Sequence, residues 1–320
     1  YKLKGYKIPV GTSQSKGRAL VNLLNLQESE TITNFLVLPE DKTDWDNLNL
    51  IFATSDGLIR RSSIDEFSSI PSNGKIAIGL EEGDTLVGVR LAKNDEHILL
   101  ASKNGQAARF AVDSMRIIKS RSSVGVIGMN LEKQDKVVSI SIISGAEKDI
   151  AVRDEYLNIP LELRILIKTL DNKELEAKLG TLEKKINLDV ETIRKWANAE
   201  QFLLTITENG YGKRTSTHEY RIASRGGKGV INILTTERNG KVIGSFACGD
   251  DSDVIISSTD GKVIRCRASD ISIIGKNAQG VRVISLDKKE KVLTIAQAIS
   301  MSDEEEPEEM ADGYNPPIFT

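Results

Sequence analysis

One pattern recurs four times along the 320 residues and restricts the fold more than any other feature. An apolar run meets a turn ending in Asp-Gly or Asn-Gly, and the returning run carries Arg or Lys. The copies span residues 50–61, 98–109, 202–214 and 254–265, with turn glycines Gly57, Gly105, Gly210 and Gly261. Asp-Gly and Asn-Gly between apolar runs are the strongest short-range hairpin signal, because a type I′ turn needs positive φ at both central positions. A second element follows 17, 20, 19 and 19 residues later: a glycine leading into an apolar strand, at Gly74, Gly125, Gly229 and Gly280. A fifth copy at Gly17 stands alone. Another strand follows each unit, as in Thr85-Leu86-Val87-Gly88-Val89.

Four strands per unit at a period near 50 residues is the signature of propeller blades. The glycines of the second element lie 57, 51, 104 and 51 residues apart, and the long interval holds a single unit. Residues 146–200 are therefore an insertion within a blade. Leu161 to Lys168 reads as helical, Asp171 with Glu174 resembles a capping box, Gly180 ends or interrupts that helix, and Val190 to Glu200 is amphipathic. The expected fold is all-β, a propeller-like ring of about five four-stranded blades with a small helical insertion. Blades occupy 1–145, the first one incomplete, and 201–300. The insertion is decoration or, less favoured, a partner-docking module.

Composition narrows the chemistry. Cys248 and Cys266 have no Cys or His at metal spacing, and read as small buried hydrophobes of a reducing cytoplasm. His97 and His218 are isolated, and read as surface or strand residues rather than ligands or bases. No Walker A, dinucleotide fingerprint, nucleophile elbow or zinc pattern is present, and carboxylate pairs such as Asp65-Glu66 and Glu81-Glu82 sit in polar turns. No catalytic residue, metal or cofactor is expected in this chain. No run approaches the roughly 18 apolar residues of a membrane span. The start, Tyr1-Lys2-Leu3-Lys4, shows neither an initiator Met nor a leader, the pattern expected of a piece of something longer.

The net charge of −3 averages two unlike parts. Residues 301–320 hold seven acids and no base; the other 300 residues carry 39 acids against 43 bases, about +4. The expectation is a mildly basic body and an acidic, disordered tail that competes for whatever the body binds. The bases recur at matched places. Arg60, Arg61, Arg109, Lys213, Arg214, Arg265 and Arg267 follow the hairpin glycines; Lys16, Arg18, Lys75, Lys119, Arg121, Arg225, Lys228, Lys276 and Arg282 surround the second set. Equivalent positions in successive blades fall on one level of a ring, so the expectation is a basic stripe along the rim, a track for bent duplex DNA. Aromatic residues make up 5% of the chain, which disfavours single-strand binding by base stacking. Ser224-Arg225-Gly226-Gly227-Lys228-Gly229 is the densest such site.

Asn209-Gly210-Tyr211-Gly212-Lys213-Arg214-Thr215, Arg225-Gly226-Gly227-Lys228-Gly229-Val230, Thr236-Glu237-Arg238-Asn239-Gly240 and Gly17-Arg18-Ala19-Leu20-Val21-Asn22-Leu23-Leu24 resemble the C-terminal domain of DNA gyrase A subunits. The likeness covers about 1–145 and 201–300; the insertion resembles one in some alphaproteobacterial gyrases. The resemblance implies a β-pinwheel, in which neighbouring blades exchange a strand, and a rim that wraps DNA. It implies a cytoplasmic type IIA topoisomerase of two A and two B subunits, whose ATP and Mg are held by other domains. A topoisomerase IV A subunit has a similar domain, and a protein-binding propeller scaffold is the alternative from another class. The family's hallmark box of glutamine, two arginines, two glycines, lysine and glycine belongs to a first blade that this chain lacks. Residues 224–229 share its core but lie in a later blade. The DNA-cleaving tyrosine is also missing, so binding and bending without cutting are expected.

Overall fold

The computed structural model describes residues 1–12, 15–27, 30–39, 41–45, 47–120, 122–146 and 148–299. The strands are β1 Leu48–Thr54, β2 Leu58–Ser63, β3 Leu86–Lys93, β4 His97–Ser102, β5 Gln106–Ala111, β6 Val126–Ile127, β7 Val137–Ile143, β8 Phe202–Thr207, β9 Tyr211–Ser216, β10 Val230–Ile231, β11 Val242–Cys248, β12 Ser252–Ser258, β13 Val263–Arg267, β14 Val281–Arg282 and β15 Val292–Ile299. They form four antiparallel sheets, ordered β3-β1-β2-β6, β7-β4-β5-β10, β11-β8-β9-β14 and β15-β12-β13. Residues 1–47 contribute 3-10 turns at Gly5–Lys7, Leu20–Asn22 and Lys42–Trp45 but no described strand. Residues 1–47 thus form no sheet of their own among the described residues.

Each hairpin seen in the sequence is a strand pair: β1 with β2, β4 with β5, β8 with β9 and β12 with β13. The turns are not type I′. Gly57 N–H donates to Thr54 O, Gly105 to Ser102, Gly210 to Thr207 and Gly261 to Ser258, and of each loop only the glycine has positive φ. That is the longer hairpin loop closed by a left-handed glycine.

The glycine-led segments are exchanged strands. The pair β6 that follows Gly125 joins β2 of the preceding sheet, β10 joins β5, and β14 joins β9. The exchange explains why the hairpin glycine is demanded twice over. A Cβ on Gly105 would stand 2.3 Å from the carbonyl oxygen of Ile233, beyond the end of β10, and its φ is +87°. Among the described residues the fourth sheet receives no such strand, and a Cβ on Gly261 would meet nothing within 4 Å.

Apolar layers lie between successive sheets. Ile51, Ile59, Leu100 and Phe110 pack between the first two; Leu99, Ala107, Leu203 and Tyr220 between the second and third; Leu204, Ile206, Val254 and Ile256 between the third and fourth. β3, β7, β11 and β15 contact one another in series, so the sheets fan from that side, and the exchanged strands lie at the opposite edge.

The insertion holds α1 Ile150–Leu157, α2 Leu161–Leu166, α3 Asn172–Gly180 and α4 Val190–Ala199. The Asp171–Glu174 capping box forms and Gly180 closes α3 as expected, while α1, capped by Asp149, was not legible. The helices share a small core of Tyr156, Ile167, Leu175, Ile193 and Trp196. They are pinned to the third sheet by the buried Glu200 carboxylate, which accepts from Tyr156 Oη (2.7 Å), Ser216 Oγ (2.5 Å) and Arg164. Because β7 and β8 belong to different sheets, the insertion fills a connection between blades; the expectation of an insertion within a blade is corrected. The acidic stretch 301–320 lies outside the described residues.

Candidate nucleic-acid interface

Of the sixteen cations singled out by repetition, the fifteen described ones separate into two populations. Those on the return strands of the first three hairpins are inside the molecule: Arg60 and Lys213 are 0% exposed, Arg109 2%, Arg214 4% and Arg61 7%. A buried cation keeps its charge only if carbonyls or acids replace its water. Arg61 donates to the carbonyls of Val112 (3.0 Å) and Met115 (2.8 Å), Arg109 to Thr217 O (2.7 Å) and Ser144 O (3.1 Å), and Arg214 to Ile271 O (2.8 Å) and pairs with Asp250. Arg60 donates to Ile118 O (3.1 Å) and Lys213 to Gly275 O (2.6 Å). Burial pushes the Arg109 guanidinium down to about 10 and the Lys213 amine to about 8. These five side chains face protein rather than solvent, and the expected rim position is corrected for them. Equivalence placed them together, but at the joints between sheets.

The second population is exposed or half-buried. Lys119, Arg225, Lys228 and Arg282 are open to solvent, and Lys276 is half-buried, with Nζ donating to Glu219 O (3.3 Å). Their loops are joined in series. Gly79 N–H donates to Ser123 O (3.1 Å), Gly226 N–H to Gly128 O (2.7 Å), Asn130 N–H to Gly227 O (3.0 Å) and Leu234 N–H to Ala278 O (3.2 Å). One hydrogen-bonded edge therefore runs through the glycine-led loops of successive units. Arg282 and Arg238 flank the Tyr211 ring, 5.8 and 4.8 Å from its centre. Lys75 is half-buried on the first of these loops, bonded to Glu66 O and placed over the Phe67 ring. Lys16 and Arg18 are exposed on the 1–47 stretch, Arg267 and Arg265 on β13 with Arg265 paired to Asp253, and Arg121 lies outside the described residues.

Arg116, Arg221 and Arg238 are exposed on the same loops and were not singled out. Arg116 and Arg221 follow the 3-10 turns Val112–Ser114 and Thr217–Glu219 at matched distance, which was the available signal.

Both histidines are buried: His97, 5% exposed, is a strand residue of β4 as expected, whereas His218, 0% exposed, lies on neither surface nor strand but in the 3-10 turn Thr217–Glu219. Desolvation holds each well below its ordinary range, at about 4, and His97 also faces Arg109. Among the described residues no group of three metal-ligating side chains occurs, and no helix is long and apolar enough to cross a membrane.

A family model described as "DNA gyrase C-terminal domain, beta-propeller" matches residues 1–39, 48–93, 96–144, 201–248 and 252–298. The chain belongs to the DNA gyrase C-terminal domain family. The DNA gyrase A subunit of Rickettsia prowazekii is 46% identical over 98% of this chain, and that of Granulibacter bethesdensis 34% over 99%. The chain spans about a third of the length of these gyrase subunits, 34% in both cases. The family model skips the helical insertion. Among solved structures, a DNA gyrase A C-terminal domain superposes with a TM-score of 0.63 at 23% identity, covering 93% of this chain and 78% of that one. A topoisomerase IV C-terminal domain gives 0.65 at 17%, covering 88% and 71%; at these identities the likeness shows the shared gyrase-type fold.

Proposed function

We propose that the chain binds duplex DNA along the edge built by its glycine-led loops and bends it around the fan of sheets. The observation that carries this reading is the bonding of successive loops into one edge that holds Lys119, Arg225, Lys228 and Arg282 exposed. Cations fixed on a continuous curved edge match a polyanion with one charge per roughly 1.7 Å of axis, whereas scattered surface lysines would not. Bending 20–30 bp by 40–90° costs on the order of 1–6 kcal/mol, so the contacts must act together, and a rigid edge supplies that. The contacts expected are to phosphates, with little reading of bases.

Within a full-length gyrase polypeptide, this reading makes the chain the DNA-wrapping part of a cytoplasmic enzyme. Two A and two B subunits would then use ATP and Mg, held by other domains, to introduce negative supercoils. The chain's own share is binding and bending, and cleavage belongs to other parts of the polypeptide. The relatives named above are gyrase A subunits, which favours gyrase over topoisomerase IV. Titrating the chain with duplex at several salt concentrations tests the reading. If about six phosphates are neutralised, log affinity falls with log salt at a slope near −5. A slope near zero would refute it.

A further inference from the structure

Three arginines stand at one place in the repeat, four residues after the hairpin glycine: Arg61, Arg109 and Arg214. Each reaches in two directions. One arm grips the connection leaving its own sheet: Asn94 Oδ1 (2.6 Å) for Arg61, Ser144 O (3.1 Å) for Arg109 and the Asp250 carboxylate for Arg214. Another grips the 3-10 turn that follows the hairpin of the next sheet, at Val112 O and Met115 O, at Thr217 O, or at Ile271 O. The backbone of the same residues closes the clamp, since the N–H groups of Ile118, Ala223 and Ile274 donate to the carbonyls of Arg61, Arg109 and Arg214. The fourth copy is an internal control. Among the described residues no sheet follows that of Arg265; its side chain is 61% exposed and pairs within its own hairpin with Asp253.

We infer that this buried arginine is the positioning residue of the DNA track: it fixes the angle between successive sheets, and so the curvature imposed on the duplex, without touching DNA. The inference rests on the DNA reading above. A planar guanidinium with donors in a rigid fork fixes the relative orientation of two bodies, which a single lysine ammonium cannot do. The exposed loops that carry Lys119, Arg225 and Lys228 are attached to the sheets being oriented, so a change of angle at one joint redirects the whole edge beyond it.

The test compares R61K, R109K, R214K and R265K in the full 320-residue chain, with folding checked by circular dichroism. Energy transfer between dyes on the ends of a duplex of about 40 bp reads the bend, and affinity for a duplex of about 12 bp, too short to wrap, reads the cations alone. At the three clamp positions, end-to-end transfer should fall by at least about a third while short-duplex affinity stays within about two-fold. R265K should match the parent. Should a clamp variant fail to fold, N94A and D250A, at exposed connection positions, remove one arm each and should lower transfer in the same direction. Equal bending by parent and clamp variants would overturn the assignment while leaving the DNA reading intact, as would an equal loss in R265K. A parent chain that binds no duplex would sink both.

Discussion

His97 Nδ1 accepts a hydrogen bond from Arg109 Nε at 3.1 Å, so the imidazole at the joint of the second and third sheets must be neutral for the clamp to close. Burial and the facing guanidinium hold it near 4, and burial does the same to His218, whose Nε2–H donates to Trp196 O.

The pH dependence follows from those two groups. An unfolded histidine takes up its proton near 6.5, whereas both native imidazoles resist until about 4. Between those values the unfolded state binds more protons, so the stability contributed by neutral burial is complete above about 6.5 and is lost as pH falls toward 4. The loss is on the order of 3 kcal/mol per histidine by the bottom of that window. Urea midpoints at pH 7 and 4.5 should show it. H97N, which places the acceptor that Asn49 supplies to Arg61 at the matched position, should flatten the difference by its own share.

Removing the clamp arginines should cost stability unequally. R109M leaves Thr217 O, Ser144 O and His97 Nδ1 without their donor in a buried joint, at about 1–3 kcal/mol for each group left unsatisfied. R265M removes a single partner, leaving the buried Asp253 carboxylate without its arginine, and costs about 1–3 kcal/mol. Denaturant unfolding of both variants should separate them by several-fold; equal losses would contradict the burial difference.

A methyl group on the hairpin glycines distinguishes joints from the free edge. G105A must meet both the left-handed φ and the Ile233 carbonyl, and should lose more than about 3 kcal/mol. G261A meets the φ penalty alone, about 1 kcal/mol. Thermal melts of the two variants check the order.

On the loop edge, K119A, R225A and K228A should each weaken duplex binding about equally across sequences, and each should reduce the magnitude of the salt slope by about 1. Loss of binding with an unchanged slope would show that the residue acts through the fold instead.

The hairpins, the exchanged segments and most of the insertion were legible because Asp-Gly between apolar runs, glycine-led strands and a capping box are local signals. The placement of the hairpin cations was not. Repetition at matched positions marks a ring-wide level, but a rim and a joint repeat equally well. The discriminating clue lay in the partner strands: Ile98-Leu99-Leu100-Ala101 and Phe202-Leu203-Leu204 are apolar on both faces, so the sheet is covered on both sides and the neighbouring Arg109 and Arg214 have no solvated face to occupy. α1 was hidden because Ile150 to Leu157 lacks an apolar stripe, and its start rests on the Asp149 cap. The turn type was ambiguous because Asp-Gly serves two hairpin loops that differ in whether the residue before glycine is also left-handed.

Gln201 ties the two ends of the helical insertion together: its side chain accepts from Ser144 N–H at 2.7 Å and its carbonyl from Thr217 N–H at 2.8 Å. Arg109 bridges the same two points from the neighbouring sheet. At this joint the covalent path of more than fifty residues is redundant with a non-covalent one a single side chain long. The spacing of the second and third sheets is therefore held across Ser144 and Thr217 by an arginine and a glutamine, whatever length of polypeptide runs between Ser144 and Gln201.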